Sequence, residues 1–230
     1  MKTFTFDIET VPLETLTESQ WSEYEKVMKG LINKRFPNND YTLSDLKDLR
    51  NLGRSVSPFL GQICVIGVHY KDDTGNTQSE ALYGYDEREL LLKFWSYLAQ
   101  VGQTLFVSFN GLGFDVPFII KRSMFHRITP TNNAFLDLRR FSVWPHFDVK
   151  MVIGDWDKYA TGTLDMITNF LSIPSPKDGK VAAKDVYDAY RSGKLKDVAD
   201  YCERDVIATY EVYNIVKDFV FNPFKNKKKG

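Results

Sequence analysis

Two carboxylates separated by a single residue end the N-terminal stretch TFTFDIE, and this is the first spacing in the chain that could hold a cation. Phe4, Phe6 and Ile8 alternate with Thr3, Thr5, Asp7 and Glu9, the period of a β-strand, so Asp7 and Glu9 project from one face near the strand's end. Side by side they can put oxygens on one divalent ion, an arrangement that is unfavourable without it. The plain alternative is a polar strand face open to water. A further acid, Asp115, stands in FNGLGFDVP, where the apolar, β-rich run Thr104 to Phe109 passes through Asn110 and Gly111 into a helix. Alone, Asp115 reads equally as a first-turn acid favoured by the helix dipole, and Asn110 as a turn residue. The last group is in YCERDVIATYEVY: Tyr201 and Asp205, four apart, share a helix face beside an apolar stripe of Ala199, Cys202, Val206, Tyr210, Tyr213 and Val216. Taken singly, Tyr201 reads as a core tyrosine.

Positioning these groups requires a sheet with helices packed on it. Residues 14–54 are polar and rich in helix formers, as in WSEYEKVMKGLI, which predicts a helical insertion leaving the core. After Pro58, QICVIGVHY, the turn DDTGN and the run Gln78 to Tyr85 predict a hairpin extending the first strand. Asp86 followed by Glu89 heads the helical pattern ELLLKFWSYLAQV, and FDVPFIIKRSMFHR predicts a helix with Pro117 in its first turn. Thr129 to Tyr159 mixes aromatics with turn residues and suggests only a short strand or helix near Phe147 to Ile153, with Asp148 either a fifth functional acid or a cap. Thr163 caps the pattern LDMITNFL, and two more helices are expected near Ala182 to Arg191 and Leu195 to Phe219.

A chain of 230 residues suits one domain, and a hydrophobic fraction of 43% with 26% charged residues describes a folded protein rather than a disordered one. Lys plus Arg equals Asp plus Glu at 30 each, so a nucleic-acid partner would have to be held by a local site rather than by a basic field. No apolar stretch approaches a membrane span, and MKTFTFDIET lacks the apolar run of a secretory signal; a cytoplasmic protein with no membrane partner is expected. Cys64 and Cys202, the two cysteines, have no metal-ligand spacing and are expected to be reduced and structural.

In order, the three acidic segments resemble the DEDD exonuclease superfamily, with D-x-E at Asp7 and Glu9, N-x-x-x-[FY]-D from Asn110 to Asp115, and Y-x-x-x-D from Tyr201 to Asp205. The last motif is that of the tyrosine subtype; none of His69, His126 and His146 stands at the distance before Asp205 that the histidine subtype needs. The nearest likeness is to stand-alone 3′→5′ exonucleases similar to the proofreading domain of family B DNA polymerases, over Thr3 to about Val216 apart from the insertion. Phe109 departs from it, standing where many relatives carry His. The resemblance implies a ribonuclease H-like α/β fold, a mixed five-stranded sheet flanked by helices.

It also implies a reaction: removal of nucleoside monophosphates from the 3′ end of single-stranded DNA by two Mg²⁺ or Mn²⁺ ions, about 3.5–4 Å apart in such sites. By resemblance Asp7 bridges both ions, Glu9 and Asp205 complete the site of the water-activating ion, Asp115 supports the other, and Tyr201 positions water. Ile8, Thr10, Asn110 and Phe114 are the implied substrate contacts, with Lys177 and Lys180, and also Lys121, Arg122 and Arg127, as candidate phosphate partners. Three other readings stay open: an RNA-trimming enzyme like ribonuclease D, a non-catalytic nucleic-acid-binding module of the same fold, and action only within a replication or repair assembly.

Overall fold

The computed structural model describes residues 1–38, 40–157, 159, 162–175 and 182–225, with the side chains of 221–225 left aside. Strand β1 (Thr3–Pro12) runs antiparallel to β2 (Gly61–Lys71), which pairs in turn with antiparallel β3 (Thr77–Tyr83). On its other side β1 pairs parallel with β4 (Leu105–Ser108), and β4 with β5 (His146–Asp148). The order is therefore β3-β2-β1-β4-β5, a mixed five-stranded sheet with the first strand at its centre.

A central strand covered on both faces cannot keep a wet side. Phe4, Phe6 and Ile8 pack with Leu91, Phe94 and Trp95 of α3 (Glu87–Val101) and with Val116, Phe118 and Ile119 of α4 (Asp115–Phe125). On the opposite face Thr3 and Thr5 are 3% and 0% exposed, so the reading of β1 as an open polar strand face is overturned. That face lies under α8 (Leu195–Lys225): Val198, Ala199 and Cys202 join Val11, Cys64 and Val65, while Tyr210, Val212 and Tyr213 join Leu105, Val107 and Phe147. Burying a side chain such as Phe or Val removes about 1.5–3 kcal/mol of unfavourable hydration. These two layers therefore fix where α8 lies on the sheet.

Residues 14–54 contain α1 (Glu18–Arg35) and α2 (Leu43–Ser55), each opened by a threonine capping box, at Thr17 with Gln20 and Thr42 with Asp45. Tyr24, Met28 and Leu60 give them a small core of their own. The ambiguous aromatic segment holds both of its suggested elements in miniature, β5 and then α5 (Val149–Ile153). Thr163 caps α6 (Leu164–Phe170) as expected, and a short 3₁₀ turn, Ala183–Asp185, leads into α7 (Val186–Arg191). Among the described residues no helix is long and apolar enough to cross a membrane.

Candidate active site

The acids of β1 meet those of α8 because one residue between them has no side chain. Gly67 of β2 lies opposite Asp7 in the register, and a Cβ there would stand 2.8 Å from both Cys202 Sγ and Val206 Cγ2. The helix can settle on the sheet at this point only over glycine. It does so with Cys202 against Asp7: the thiol donates to the Asp7 carbonyl and to Oδ2, each at 3.6 Å. Single oxygen atoms of Asp7 and Glu9 and the Cys202 sulfur all lie within 4.8 Å of one another. Directly after Glu9 the β1–β2 pairing slips by one residue, so Thr10 pairs with Ile63 and Cys64 is left over. Such a bulge bends and twists the strand where its side chains must be aimed.

Asp115 arrives from the other direction, as the first residue of α4. Its loop is held in shape by Asn110, whose φ of 67° is a left-handed conformation that Asn tolerates better than most residues, and whose carbonyl accepts from the N–H groups of Gly113 and Phe114. Asp148 clamps the same loop. Fully buried at the end of β5, it accepts from Asn110 N and Leu112 N at 2.9 and 3.0 Å, and from Lys150 N and Met151 N at the start of α5. Asp148 is thus a cap that ties two loops together. Asp115, 2% exposed, then accepts the N–H of Ile8 at 3.0 Å, which pins α4 to the strand residue between Asp7 and Glu9.

The electrostatics show that the four acids form one group. Burial pushes Asp7 well above the usual carboxylate range, and the charges of Asp115, Glu9 and Asp205 push it further. Glu9 is raised by burial, then by Asp205 and Asp115. Asp115 rises to about 7, chiefly through burial, against the lowering effect of its backbone hydrogen bonds. No Lys, Arg or His among the described residues forms an ion pair with Asp7, Glu9 or Asp115. Tyr201 hydrogen-bonds Asp205, and burial with the surrounding negative charge raises its phenol far above the ordinary value. The Cys202 thiol is raised by burial and by the charges of Asp7, Glu9 and Asp205, and it donates to Asp7.

The structure therefore brings Asp7, Glu9, Asp115, Tyr201 and Asp205 together. Ile8 gives its side chain to the core and its N–H to Asp115, while Asn110 and Phe114 shape the loop before α4. Thr10 borders a cleft of about 600 Å³ walled on one side by Arg35, Lys47 and Asn51 of the insertion and on the other by Lys184 and Tyr187. Lys177 and Lys180 lie outside the described residues. Arg122 is a correction: instead of facing phosphate, it is 2% exposed and grips Glu87 through Nε and Nη2, at 3.0 and 2.6 Å. Sequence reasoning missed Gly67 and the Cys202–Asp7 contact. The visible sign of the latter was that Cys202 immediately follows Tyr201.

All-oxygen donors, mutual repulsion and the lack of a protein cation beside Asp7, Glu9 and Asp115 fit hard divalent ions such as Mg²⁺ or Mn²⁺. Asp7 and Glu9 stand not at the end of β1, as expected, but within it, just past the point where its parallel pairing with β4 stops, because the strand continues to Pro12 against β2; a mixed sheet carrying such a cluster on its central strand defines a protein of the ribonuclease H-like fold. Residues 58–220 match the family described as a predicted 3′-5′ exonuclease related to the exonuclease domain of PolB, and the chain belongs to that family. The matched stretch begins after the insertion, so Asp7 and Glu9 precede it.

The chain is similar to a DNA polymerase of Pyrococcus glycovorans, 28% identical over 138 residues, or 55% of this chain and 18% of that protein. It is also similar to the catalytic polypeptide of DNA polymerase epsilon from Dictyostelium discoideum, 26% identical over 157 residues, or 60% of this chain and 6% of that protein. It thus spans under a fifth of the length of either. The family B DNA polymerase of the hyperthermophilic archaeon Pyrobaculum calidifontis shares its fold at a TM-score of 0.60 and 16% identity, covering 95% of this chain and 25% of that one.

Proposed function

We propose that this chain is a 3′→5′ exonuclease that removes nucleoside monophosphates from single-stranded DNA. The observation that carries the reading is the convergence of four carboxylates from β1, α4 and α8 on one point, with mutual repulsion that raises Asp7 and Glu9. Two divalent ions held by Asp7, Glu9, Asp115 and Asp205 would supply the Lewis acidity and the activated water of phosphodiester hydrolysis.

The protein's own groups have separate tasks. The Ile8 N–H fixes one Asp115 oxygen and so sets the direction of that carboxylate. Tyr201 keeps its proton across the physiological range, so its hydroxyl aligns the attacking water and does not deprotonate it. Phe114, which packs its ring 5.5 Å from that of Phe118, and Thr10 flank the place where the terminal nucleotide would lie.

Digestion of a 5′-labelled single strand tests this. A ladder that shortens from the 3′ end is expected, with circular and 3′-phosphorylated strands resistant and no cleavage in EDTA. Internal fragments from a circle would show an endonuclease instead. Matched DNA and RNA strands decide the substrate, since RNA-trimming chemistry would use the same carboxylates. Binding without hydrolysis in saturating Mg²⁺ and Mn²⁺ would point to a non-catalytic module, a reading that the presence of all four acids and the tyrosine opposes.

A further inference from the structure

The cleft that borders Thr10 has two walls of different origin. One is the insertion, α1 and α2, which lies outside the matched residues 58–220; the other is the 3₁₀ turn with α7. Both walls are fixed to the strand that carries Asp7 and Glu9. At Gly61 a Cβ would stand 2.8 and 2.9 Å from the carbonyls of Arg54 and Ser55, so the end of α2 sits directly on the backbone of β2, and Gly61 pairs with Pro12 of β1. Pro12 is three residues past Glu9, about 10 Å along the strand. On the other wall Tyr187 packs on the same cluster as Tyr201, one that includes Val11 and Val186. The cleft therefore starts one residue from Glu9 and is bounded by elements seated on the same strand.

Its charges nearly cancel. Arg35, Lys47 and Lys184 are set against Asp45, Asp48, Asp185 and Asp188, so a run of phosphates gains little there, while an uncharged group meets no opposing field. What is left to be matched is polar and aromatic. The half-buried Asn51 side chain lines the cleft with no hydrogen-bond partner among the described residues, since Ser55 bonds its backbone carbonyl instead. An amide offers two donors and an acceptor, and leaving them unmatched away from water costs free energy. Phe36 supplies a ring on the insertion wall and Tyr187 one on the other, where Arg191 engages its hydroxyl.

We propose that this cleft seats the 3′-terminal nucleoside, its base against Phe36 and Tyr187 with its edge on the Asn51 amide, and its phosphate outside at the acids. A cavity of about 600 Å³ is of the size that encloses a small ligand. Rings accept any base, and the amide can turn over to present donor or acceptor, so the seat has no sequence preference. The insertion thereby becomes the part of this chain that holds the end of the strand. That the occupant is a strand's end rests on the exonuclease reading; that it is a nucleoside rests on the cleft alone.

The test separates the two. NMR titration of the full chain in EDTA with 2′-deoxyadenosine, thymidine and 2′-deoxyadenosine 5′-monophosphate reads the cleft without metal. Both nucleosides should bind with similar affinity, and the monophosphate more weakly, because its charge meets carboxylates that no protein cation neutralises. Asn51→Leu, which keeps the shape, and Asn51→Ala, which suits a helix, should each weaken 2′-deoxyadenosine roughly five- to a hundredfold. Absence of nucleoside binding, unchanged affinity in both variants, or a monophosphate that binds better than its nucleoside in EDTA would overturn the proposal. Mn²⁺ should reverse the order of nucleoside and monophosphate. An order that stays the same in Mn²⁺, with the dependence on Asn51 intact, would retain the nucleoside seat and remove the two-metal exonuclease reading.

Discussion

Two buried acidic centres in this molecule are built on opposite principles. At the start of α3, Glu87 receives Arg122 through two nitrogens, His126 Nε2 at 2.7 Å and the N–H of Ile63 at 2.7 Å, and Arg122 also donates to the Pro58 carbonyl. Every charge there has a partner, and the group ties α3 and α4 to the point where the chain returns from its insertion. Around Asp7 the fold gathers more acid, yet provides Asp7, Glu9 and Asp115 with backbone N–H groups, a thiol and one another. At Glu87, where the carboxylate serves architecture, the fold supplies the cation; around Asp7 that role is left open for a ligand.

The contrast can be broken most severely at Asp7. Asp7→Asn should lower kcat by several orders of magnitude while the far-ultraviolet spectrum stays native, since the change relieves repulsion as it removes a proposed ligand. Near-normal turnover in saturating Mg²⁺ would end the catalytic reading. Glu87→Ala should do the reverse: leaving Arg122 buried without its partner should cost about 3–5 kcal/mol in urea unfolding, with kcat per folded molecule retained. A change below about 1 kcal/mol, the range of surface pairs, would mean that Arg122 finds water or another acceptor.

Tyr201→Phe is a finer cut. It keeps the ring and removes the hydroxyl, so kcat should fall roughly ten- to a thousandfold with KM little altered; an unchanged rate would make the tyrosine a scaffold residue. The smallest effect expected is on stability against pH. Raised carboxylates hold protons more tightly in the folded state than in the unfolded one, so metal-free protein should be most stable below about pH 4 in this respect. That contribution should fade as pH rises through about 7, the value for Asp115. Thermal melts in EDTA should show the decline, Mn²⁺ should reverse it, and Asp7→Asn should flatten it. A wild-type profile that is the same with and without metal would exclude ion binding at the cluster.

How much of this was legible in the sequence depended on range. The alternation Phe4, Phe6, Ile8 gave β1, the hairpin and the order of helices followed from turns and caps, and the motif order gathered Asp7, Glu9, Asp115 and Asp205. Periodicity could not tell that Thr3 and Thr5 are buried, because a strand covered on both faces usually reads as a continuous apolar run, whereas β1 alternates like a half-buried one. Nor could it see Arg122: its partner Glu87 lies 35 residues away, and a basic residue after an acidic motif looks like a phosphate contact until the helices are docked. β5 has three residues, too few for any pattern.

Gly67 carries no charge, makes no hydrogen bond through a side chain and lies on a different strand from every acid, yet the separation between strand acids and helix acids is set by its single hydrogen. A library of substitutions scored for nuclease activity should therefore find it as intolerant as Asp7. Its failures would arise differently: methyl or larger groups would lift α8 from β2 at Cys202 and Val206, leaving all four acids present and correctly folded on their own elements but too far apart to share a ligand. In such a screen the essential positions would include one defined by absence, and a search for conserved chemistry alone would overlook it.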